Sequence, residues 1–247
     1  MFLRGVAASV FAGLVGAWAS PGVAGEVLPV ARFSAARAGG ELPAGWEPLV
    51  FSGIDVHTDY RLVEDEGRVV VRADSQASAS GLVRQIEIDP AAYPIVEWRW
   101  RVANVLEKGD LTRKSGDDYP ARLYITFAYD PEQANWLERL RYETLRLFYG
   151  EYPPAAALNY IWDARAPVGT VEPNPYTGQA RMIVVESGEA HVGEWRVERR
   201  NLRDDYARAF GGEAPAVSGV AIMSDTDDTG ESAVAWFGDI SFHGAEN

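Results

Sequence analysis

The sequence predicts an all-β protein with minor α content, an antiparallel β-sandwich of the jelly-roll or lectin-like type with two short accessory helices. Three observations predict this fold. Short runs of residues alternate between apolar and polar side chains with a period of two, as strands with one buried face do. Gly, Pro, Asn or Asp residues separate these runs. The 247 residues include no cysteine, and a chain of this length can bury a core without disulfides.

The N-terminal residues 1–25 have the features of a secretory signal peptide. Arg4 is their only charged residue, an apolar run follows over 5–19, and small residues come next. The apolar run is shorter than the roughly 20 residues that a membrane-spanning helix needs. We therefore expect a periplasmic or extracellular protein with a single β-sandwich domain over 26–247 and no stable membrane span after cleavage. An uncleaved membrane anchor is the alternative.

Residues 95–102 give the clearest strand. Alternate positions there are apolar and predicted to point inward: Val96, Trp98, Trp100 and Val102. The positions between them are charged and predicted to point outward: Glu97, Arg99 and Arg101. The same alternation over 121–129 predicts an inward set of Leu123, Ile125, Phe127 and Tyr129, and an outward set of Arg122, Tyr124 and Thr126. Further strands are predicted over 46–51, 60–63, 68–73, 81–88, 159–162, 181–186, 194–199, 217–223 and 234–242.

Two helices are predicted between these strands. The first begins at Asp130, which can cap it, continues with Pro131 at the first helical position, and ends near Gly150. The second is capped by Asn201 and ends at residues 211–212, which are both glycine. The proline-rich stretch over 167–175 is predicted to be a connection.

An acidic segment over 224–230 lies between the last two predicted strands, and we expect it to form the loop of a β-hairpin. Hard cations such as calcium prefer several oxygen ligands. The segment supplies them at close spacing, from Asp225, Asp227, Asp228 and the Thr229 hydroxyl. It is not an EF-hand, because Trp236 stands where that loop requires a glutamate. The alternative is an acidic turn whose aspartates hydrogen-bond to the backbone.

A second group of polar residues lies near the predicted strands over 95–102 and 121–129. Consecutive strands often pair, so we expect their outward side chains to share one face. The members of this candidate ligand face are Arg99, Arg101, Asp117, Asp118, Arg122 and Tyr124. Such a mixture can bind a polar ligand such as a sugar through charge-assisted hydrogen bonds and aromatic contacts. A ladder of salt bridges on a solvated face is the alternative.

A third group lies where the strand over 194–199 meets the second helix. Its members are Trp195, Glu198, Arg199, Arg200, Asp204, Asp205 and Tyr206. Arg–Asp pairing there is expected to fix the helix, and ligand binding is the alternative.

Charge and motifs narrow the classes of function. The net charge of −13 disfavours nucleic acid as a partner. Without cysteine, thiolate nucleophiles and Cys–zinc sites are excluded. The sequence has no G-x-S-x-G, H-E-x-x-H or phosphate-binding loop. Paired carboxylates from residues 117–118 and 225–228 remain an option for glycoside hydrolysis.

Several segments together resemble a bacterial family known as domain of unknown function 3047. They are WRWRV at 98–102, GDDYPAR at 116–122, WRVERRNL at 195–202 and AIMSDTDDTG at 221–230. The resemblance covers nearly the whole chain after the signal peptide. It implies an exported, single-domain protein and carries over no catalytic residue.

These observations lead to one main hypothesis and two alternatives. The main hypothesis is a non-catalytic, exported module that binds a polar, saccharide ligand from the cell envelope, with calcium as a possible cofactor in the acidic segment. One alternative is a carbohydrate-active enzyme that uses paired carboxylates. The other is a structural or assembly protein of the envelope.

Overall fold

A computed structural model describes residues 25–129 and 154–245. The predicted signal peptide, apart from Gly25, and the first predicted helix over 130–150 lie outside the described residues. Two short 3-10 helices occur at Phe33–Ala35 and Lys114–Gly116. Within the described ranges, no helix is long and apolar enough to cross a membrane.

Thirteen described strands, numbered along the chain, form two sheets. One sheet has six strands: β1 (Val27–Ala31), β3 (Asp59–Asp65), β4 (Arg68–Gln76), β6 (Ile95–Val102), β11 (Arg196–Asn201) and β13 (Ser232–His243). The other has seven: β2 (Trp46–Leu49), β5 (Ala79–Ile88), β7 (Arg122–Phe127), β8 (Ala156–Asp163), β9 (Val171–Asn174), β10 (Thr177–Ser187) and β12 (Val217–Asp225). The predicted sandwich is therefore confirmed.

The strand order within each sheet differs from the order along the chain. The six-stranded sheet runs β11-β6-β13-β4-β3, with β1 also paired to β13. The seven-stranded sheet runs β2-β5-β12-β7-β8-β10-β9. Among the described strands every pairing is antiparallel except that of β8 with β10, which is parallel.

The core lies between the inner faces of the two sheets. The predicted inward set of β6 is confirmed, since Val96, Trp98, Trp100 and Val102 are all at most 2% exposed. The Trp98 ring lies 5.1 Å from that of Tyr160 on β8, and the Trp100 ring lies 6.2 Å from that of Trp162. These rings join one sheet to the other and supply a large share of the buried apolar surface.

Two strands were not predicted, and both belong to the margins of the sheets. β9 lies in the segment predicted to be a connection, and its Pro173 suits an edge strand because proline cannot donate to a strand ladder. β1 contains Pro29 and follows directly after the predicted signal peptide. Edge pairing depends on a neighbouring strand that is distant in sequence, so the local pattern gives only a weak signal.

The predicted hairpin over 217–242 is wrong. β12 belongs to the seven-stranded sheet, and β13 belongs to the six-stranded sheet. The acidic segment between them, over 226–231, therefore crosses from one sheet to the other. The alternation in each strand correctly predicts a buried face, but it does not determine which strand lies alongside.

The second predicted helix is confirmed as α1 (Leu202–Phe210). The Asn201 side chain accepts hydrogen bonds from the backbone N–H groups of Arg203 and Asp204, at 3.0 and 3.3 Å. Gly211 ends the helix with a φ of 79°, a conformation that glycine adopts without steric cost. Both ends of α1 are therefore encoded locally.

Candidate functional site

The predicted ligand face is divided between the two sheets. Arg99 and Arg101 lie on β6, which pairs with β11 and β13. Arg122 and Tyr124 lie on β7, which pairs with β12 and β8. The prediction that these four side chains share one face is wrong, because the chain crosses between the sheets from β6 to β7. Two separate polar surfaces result.

The crossing chain covers part of the outer face of the seven-stranded sheet. Leu111 and Tyr119 from this chain pack against Ile161, Met182 and Val184, which lie on β8 and β10. This second apolar cluster explains why Arg122, correctly predicted to point outward, is only 2% exposed. Arg122 lies opposite Ile161 in the strand ladder, and the same crossing chain buries it.

Arg122 and Asp225 form a buried ion pair on this face. The Arg122 Nε donates to Asp225 Oδ1 at 2.8 Å, and its Nη2 donates to Asp225 Oδ2 and to the backbone carbonyl of Asp117. Asp225 Oδ1 also accepts from the Tyr119 backbone N–H at 3.1 Å. Asp225 was predicted to be a metal ligand, but its carboxylate is engaged by this arginine.

The ion pair controls the charge and the orientation of its neighbours. Burial disfavours both charged forms, but the Asp225 carboxylate raises the pKa of Arg122 well above its ordinary value, so the guanidinium stays protonated. Arg122 Nη1 donates to the Tyr124 hydroxyl at 3.1 Å. Burial raises the pKa of Tyr124 to about 12, so that the phenol keeps its proton at neutral pH. Tyr124 therefore accepts from Arg122 and still has a hydrogen to donate.

Asp118 joins the acidic segment between β12 and β13. Asp118, Asp227 and Asp228 each offer one carboxylate oxygen, and these three atoms lie within 4.8 Å of one another. Asp118 is 1% exposed and accepts from the backbone N–H groups of Thr229, at 2.6 Å, and of Asp228, at 3.4 Å. The crossing chain and the acidic segment therefore meet in one acidic cluster. Asp118 therefore belongs to the acidic cluster and not to the ligand face on which the sequence pattern predicts it.

The electrostatic environment of this cluster is unfavourable to negative charge. Burial, and then the carboxylate of Asp118, raise the pKa of Asp227. Burial also raises the pKa of Asp228, although a hydrogen bond from the Tyr176 hydroxyl at 2.7 Å opposes the change. Thr229, the fourth predicted metal ligand, contributes its backbone N–H, while its hydroxyl oxygen accepts from the Glu231 N–H at 3.4 Å.

Asp117 lies between the ion pair and the acidic cluster. Its Oδ2 accepts from the Asn174 amide at 2.8 Å. Its Oδ1 is buried and lies 3.6 Å from Arg122 Nη1, but it accepts no hydrogen bond from the described residues. Asn174 and Tyr176 come from β9 and the turn after it. Their part in the site was missed because that segment was predicted to be only a connection.

A groove of 420 Å³ lies on the outer face of the seven-stranded sheet and reaches Tyr124. One part of its lining is apolar: Leu49, Phe51, Val83, Pro154, Gly219 and Ala221. The other part is polar: Gln85, Tyr124, Thr126 and Ser218. Gln85 is exposed, and none of the described residues hydrogen-bonds to its side chain. Neither the groove nor Gln85 is signalled by sequence, because the lining comes from strands that are distant in the chain.

The other half of the predicted ligand face lies on the outer face of the six-stranded sheet. The Arg99 guanidinium lies over the ring of Trp195 at 4.2 Å, and that of Arg101 lies over the ring of Trp236 at 4.2 Å. Arg101 also forms an ion pair with Asp65 at 2.6 Å. Stacking of this kind holds the guanidinium plane at a fixed angle.

The junction between β11 and α1 is held by Arg–Asp pairing, as predicted, and the carboxylate of this pair is buried. Asp205 accepts from Arg200 Nη2 at 2.5 Å and Nε at 2.9 Å, and from the Tyr160 hydroxyl at 2.9 Å. Nearby on β11, burial and the neighbouring Glu186 raise the pKa of Glu198 to about 7. The hydrogen bonds of Asp205 to Arg200 and Tyr160 attach α1 to the sandwich.

Comparison with known proteins identifies a family and several solved structures that match this chain. A family model described as "Protein of unknown function (DUF3047)" matches residues 44–241. The family 11 carbohydrate-binding module of the cellulosomal cellulase Lic26A-Cel5E of Clostridium thermocellum is 10% identical, with a TM-score of 0.46 over 91% of this chain and 98% of that chain. The carbohydrate recognition domain of Emp47p is 15% identical, with a TM-score of 0.43 over 93% of this chain and 100% of that chain. No curated protein sequence matches this chain.

Proposed function

The chain belongs to the DUF3047 family of proteins of unknown function, and we propose that it is an exported, non-catalytic module that binds a polar saccharide in the groove of the seven-stranded sheet. The observation that carries this proposal is the pairing, within one groove, of an apolar wall with a row of hydrogen-bonding side chains. A sugar ring has the same two properties, since its C–H groups form an apolar face and its hydroxyls surround the edge. Pockets for small polar ligands combine these features.

Two side chains in the groove are available to the hydroxyls of a sugar. Tyr124 keeps its proton and is oriented by the hydrogen bond from Arg122. The Gln85 amide offers both a donor and an acceptor. Phe51, which is 37% exposed, gives an aromatic surface for the apolar face of the ring.

The buried ion pair supports this arrangement from beneath. The guanidinium of Arg122 is held at two points by Asp225, and it holds the Tyr124 hydroxyl in turn. A donor that is fixed before the ligand arrives loses little conformational entropy on binding. Arg122 and Asp225 therefore act on the ligand through Tyr124, and Asp117 supports Arg122 through its backbone carbonyl.

We further propose that calcium binds the acidic cluster of Asp118, Asp227 and Asp228. The donor atoms are all carboxylate oxygens, the type that hard cations prefer, and they converge within 4.8 Å. A divalent cation would offset the mutual repulsion of these carboxylates. It would also tie the chain between β6 and β7 to the segment between β12 and β13, at the end of the sheet that carries the Arg122–Asp225 pair.

Catalysis by the same carboxylates has less support. Glycosidases place an acid and a second carboxylate about 5 to 9 Å apart on either side of an open cleft. The Asp118 carboxylate is buried, and both of its oxygens already accept backbone hydrogen bonds. The net charge of −13 also makes nucleic acid an unfavourable ligand.

The test is retention of the purified chain on a panel of envelope polysaccharides, with newly released reducing ends measured in the same samples. Tyr124→Phe keeps the ring and removes the hydroxyl, and Gln85→Ala removes the amide. We expect each variant to weaken binding about fivefold or more, the cost of one or two lost hydrogen bonds. Gln76→Ala is the matched control, because Gln76 is also exposed on a strand but lies on the six-stranded sheet.

Three results would contradict the proposal. The first is the absence of retention on any polysaccharide, and the second is equal retention of wild type, Tyr124→Phe and Gln85→Ala. The third is release of reducing ends that Asp118→Asn abolishes, which would identify an enzyme. Calcium is tested separately by titration calorimetry, where Asp227→Asn and Asp228→Asn should each weaken binding at least tenfold. No calcium binding by the wild type would remove the cation from the proposal.

A further inference from the structure

The outer face of the six-stranded sheet carries a second pocket, of 230 Å³, on the opposite side of the sandwich from the groove. Its lining includes two arginines, Arg68 and Arg99, and two acids, Glu97 and Asp239. The chemistry of the pocket depends on which of these four charges already have partners.

Both acids have partners outside the arginine pair. Asp239 Oδ1 accepts from the Ser34 backbone N–H at 2.9 Å, and its Oδ2 accepts from the Ser34 hydroxyl at 2.5 Å. Glu97 forms an ion pair with Arg199 at 3.0 Å. Two hydrogen bonds from one serine orient the Asp239 carboxylate, so it forms no hydrogen-bonded ion pair with either arginine, although its negative charge still acts on Arg99.

The two arginines, in contrast, have no acceptor among the described residues. Neither Arg68 nor Arg99 forms an ion pair or a side-chain hydrogen bond with the described residues, and the Arg99 guanidinium lies over the Trp195 ring at 4.2 Å. Partial burial, and then the positive charge of Arg68, lower the pKa of Arg99. Two guanidinium groups therefore lie close enough at one pocket to repel each other, and neither has a hydrogen-bond acceptor among the described residues.

The backbone of β13 helps to fix the position of the Arg99 side chain. β13 shifts its register between Phe237 and Ile240, where Gly238 and Asp239 form an irregularity in the ladder with β6. The Arg99 side chain lies across Gly238, and a Cβ at that position would overlap Cγ and Nε of Arg99. The glycine below and the Trp195 ring hold the guanidinium in place, while its donors have no acceptor in the described chain.

We propose that this pocket binds an oxyanion of the carboxylate or phosphate type, through Arg99 and Arg68. A planar guanidinium can donate two parallel hydrogen bonds to such a group, and stacking on an aromatic ring leaves its donor edge accessible. The volume suits a single anionic group or one acidic sugar residue. The proposal does not depend on saccharide binding in the groove, because the two sites lie on opposite faces of the sandwich.

The test is titration calorimetry of the full chain with three probes at low ionic strength: glucuronate, inorganic phosphate and, as the neutral control, glucose. We expect saturable binding of glucuronate, phosphate or both that weakens as salt rises, and no binding of glucose at this site. Preference for glucuronate would indicate an acidic sugar as the source of the anion, and preference for phosphate would indicate a phosphorylated ligand.

Variants separate a specific site from general attraction. Arg99→Gln should weaken binding at least tenfold, and Arg68→Gln about fivefold. Gly238→Ala keeps every charge but displaces Arg99, so it should also weaken binding severalfold. Arg113→Gln is the control for charge, since Arg113 is exposed and paired with Asp110 elsewhere. Arg68 is exposed, so its variant tests the site even if Arg99→Gln fails to fold.

Three outcomes would overturn the proposal: neither anion binds saturably, Arg99→Gln and Arg68→Gln bind as the wild type does, or Arg113→Gln weakens binding as much as Arg99→Gln. Failure of the anion-binding test would not contradict saccharide binding in the groove, because Tyr124→Phe and Gln85→Ala report on that site alone.

Discussion

Removal of Asp225 gives the sharpest test of the buried ion pair. Asp225→Ala leaves the Arg122 guanidinium 2% exposed, with only neutral acceptors and the Asp117 carboxylate oxygen at 3.6 Å. Breaking one side of a buried pair typically costs 3–5 kcal/mol, and the nearby Asp117 favours the lower end, about 3 kcal/mol. For a domain of this size that corresponds to a fall in melting temperature of about 6 to 12 °C.

The assay is urea unfolding followed by tryptophan fluorescence, in calcium and in chelator. The loss should be the same in both, because Asp225 acts through Arg122. Asp228→Ala, in the acidic cluster, should change stability by less than about 1 kcal/mol in chelator. The double variant Arg122→Met/Asp225→Leu should recover most of the loss, because it leaves no unpaired buried charge. A loss of stability below about 1 kcal/mol would refute the reasoning. A loss seen only with calcium would also refute it and would indicate that Asp225 is a metal ligand.

Two further predictions concern β11 and α1. The pKa of Glu198 is raised to about 7, so between pH 4.5 and 7 this group holds a proton in the folded state that it has lost in the unfolded state, and its contribution to stability should fall as pH rises through that range. Glu198→Gln should remove this fall and stabilise the protein by about 1 to 2 kcal/mol at pH 8, after solvent screening is allowed for. Urea unfolding midpoints that are the same for the variant and the wild type from pH 4 to 8 would contradict this prediction. Asp205→Asn should cost about 2 to 3 kcal/mol and speed amide exchange in α1, because Arg200 loses its partner. Asp204→Asn, in the same turn but exposed, is its control, and equal effects of the two variants would show that Asp205 has no special role.

Much of the local structure was predictable from the sequence. Alternation over 95–102 identified the buried face of β6, because side chains on a strand point to opposite sides in turn. Asn201 and Gly211 marked the ends of α1, because the groups that cap a helix lie within a few residues of it. Arg–Asp pairing at the start of α1 was predictable for the same reason, but only the structure shows that Arg200 and Asp205 are the partners.

The composition of the sites was not predictable in the same way. Asp118 and Asp227 are 109 residues apart in the chain, and they meet because two sheet-to-sheet connections end at the same place. Asp225 and Asp227 are only two residues apart in sequence, yet one pairs with Arg122 and the other belongs to the acidic cluster. The run of aspartates in the sequence therefore predicted the right region for the acidic cluster but the wrong set of residues.

The sequence by itself determined the periodicity of the strands, the ends of α1, the absence of thiol chemistry and the acidic balance of charge. Only the tertiary structure decided which strands are neighbours. The strand pairing places Arg99 and Arg122 on different sheets and brings Asp118 into the acidic cluster. The physical reason is that alternation depends on adjacent residues, whereas strand pairing depends on burying whole apolar faces against partners far away in the chain.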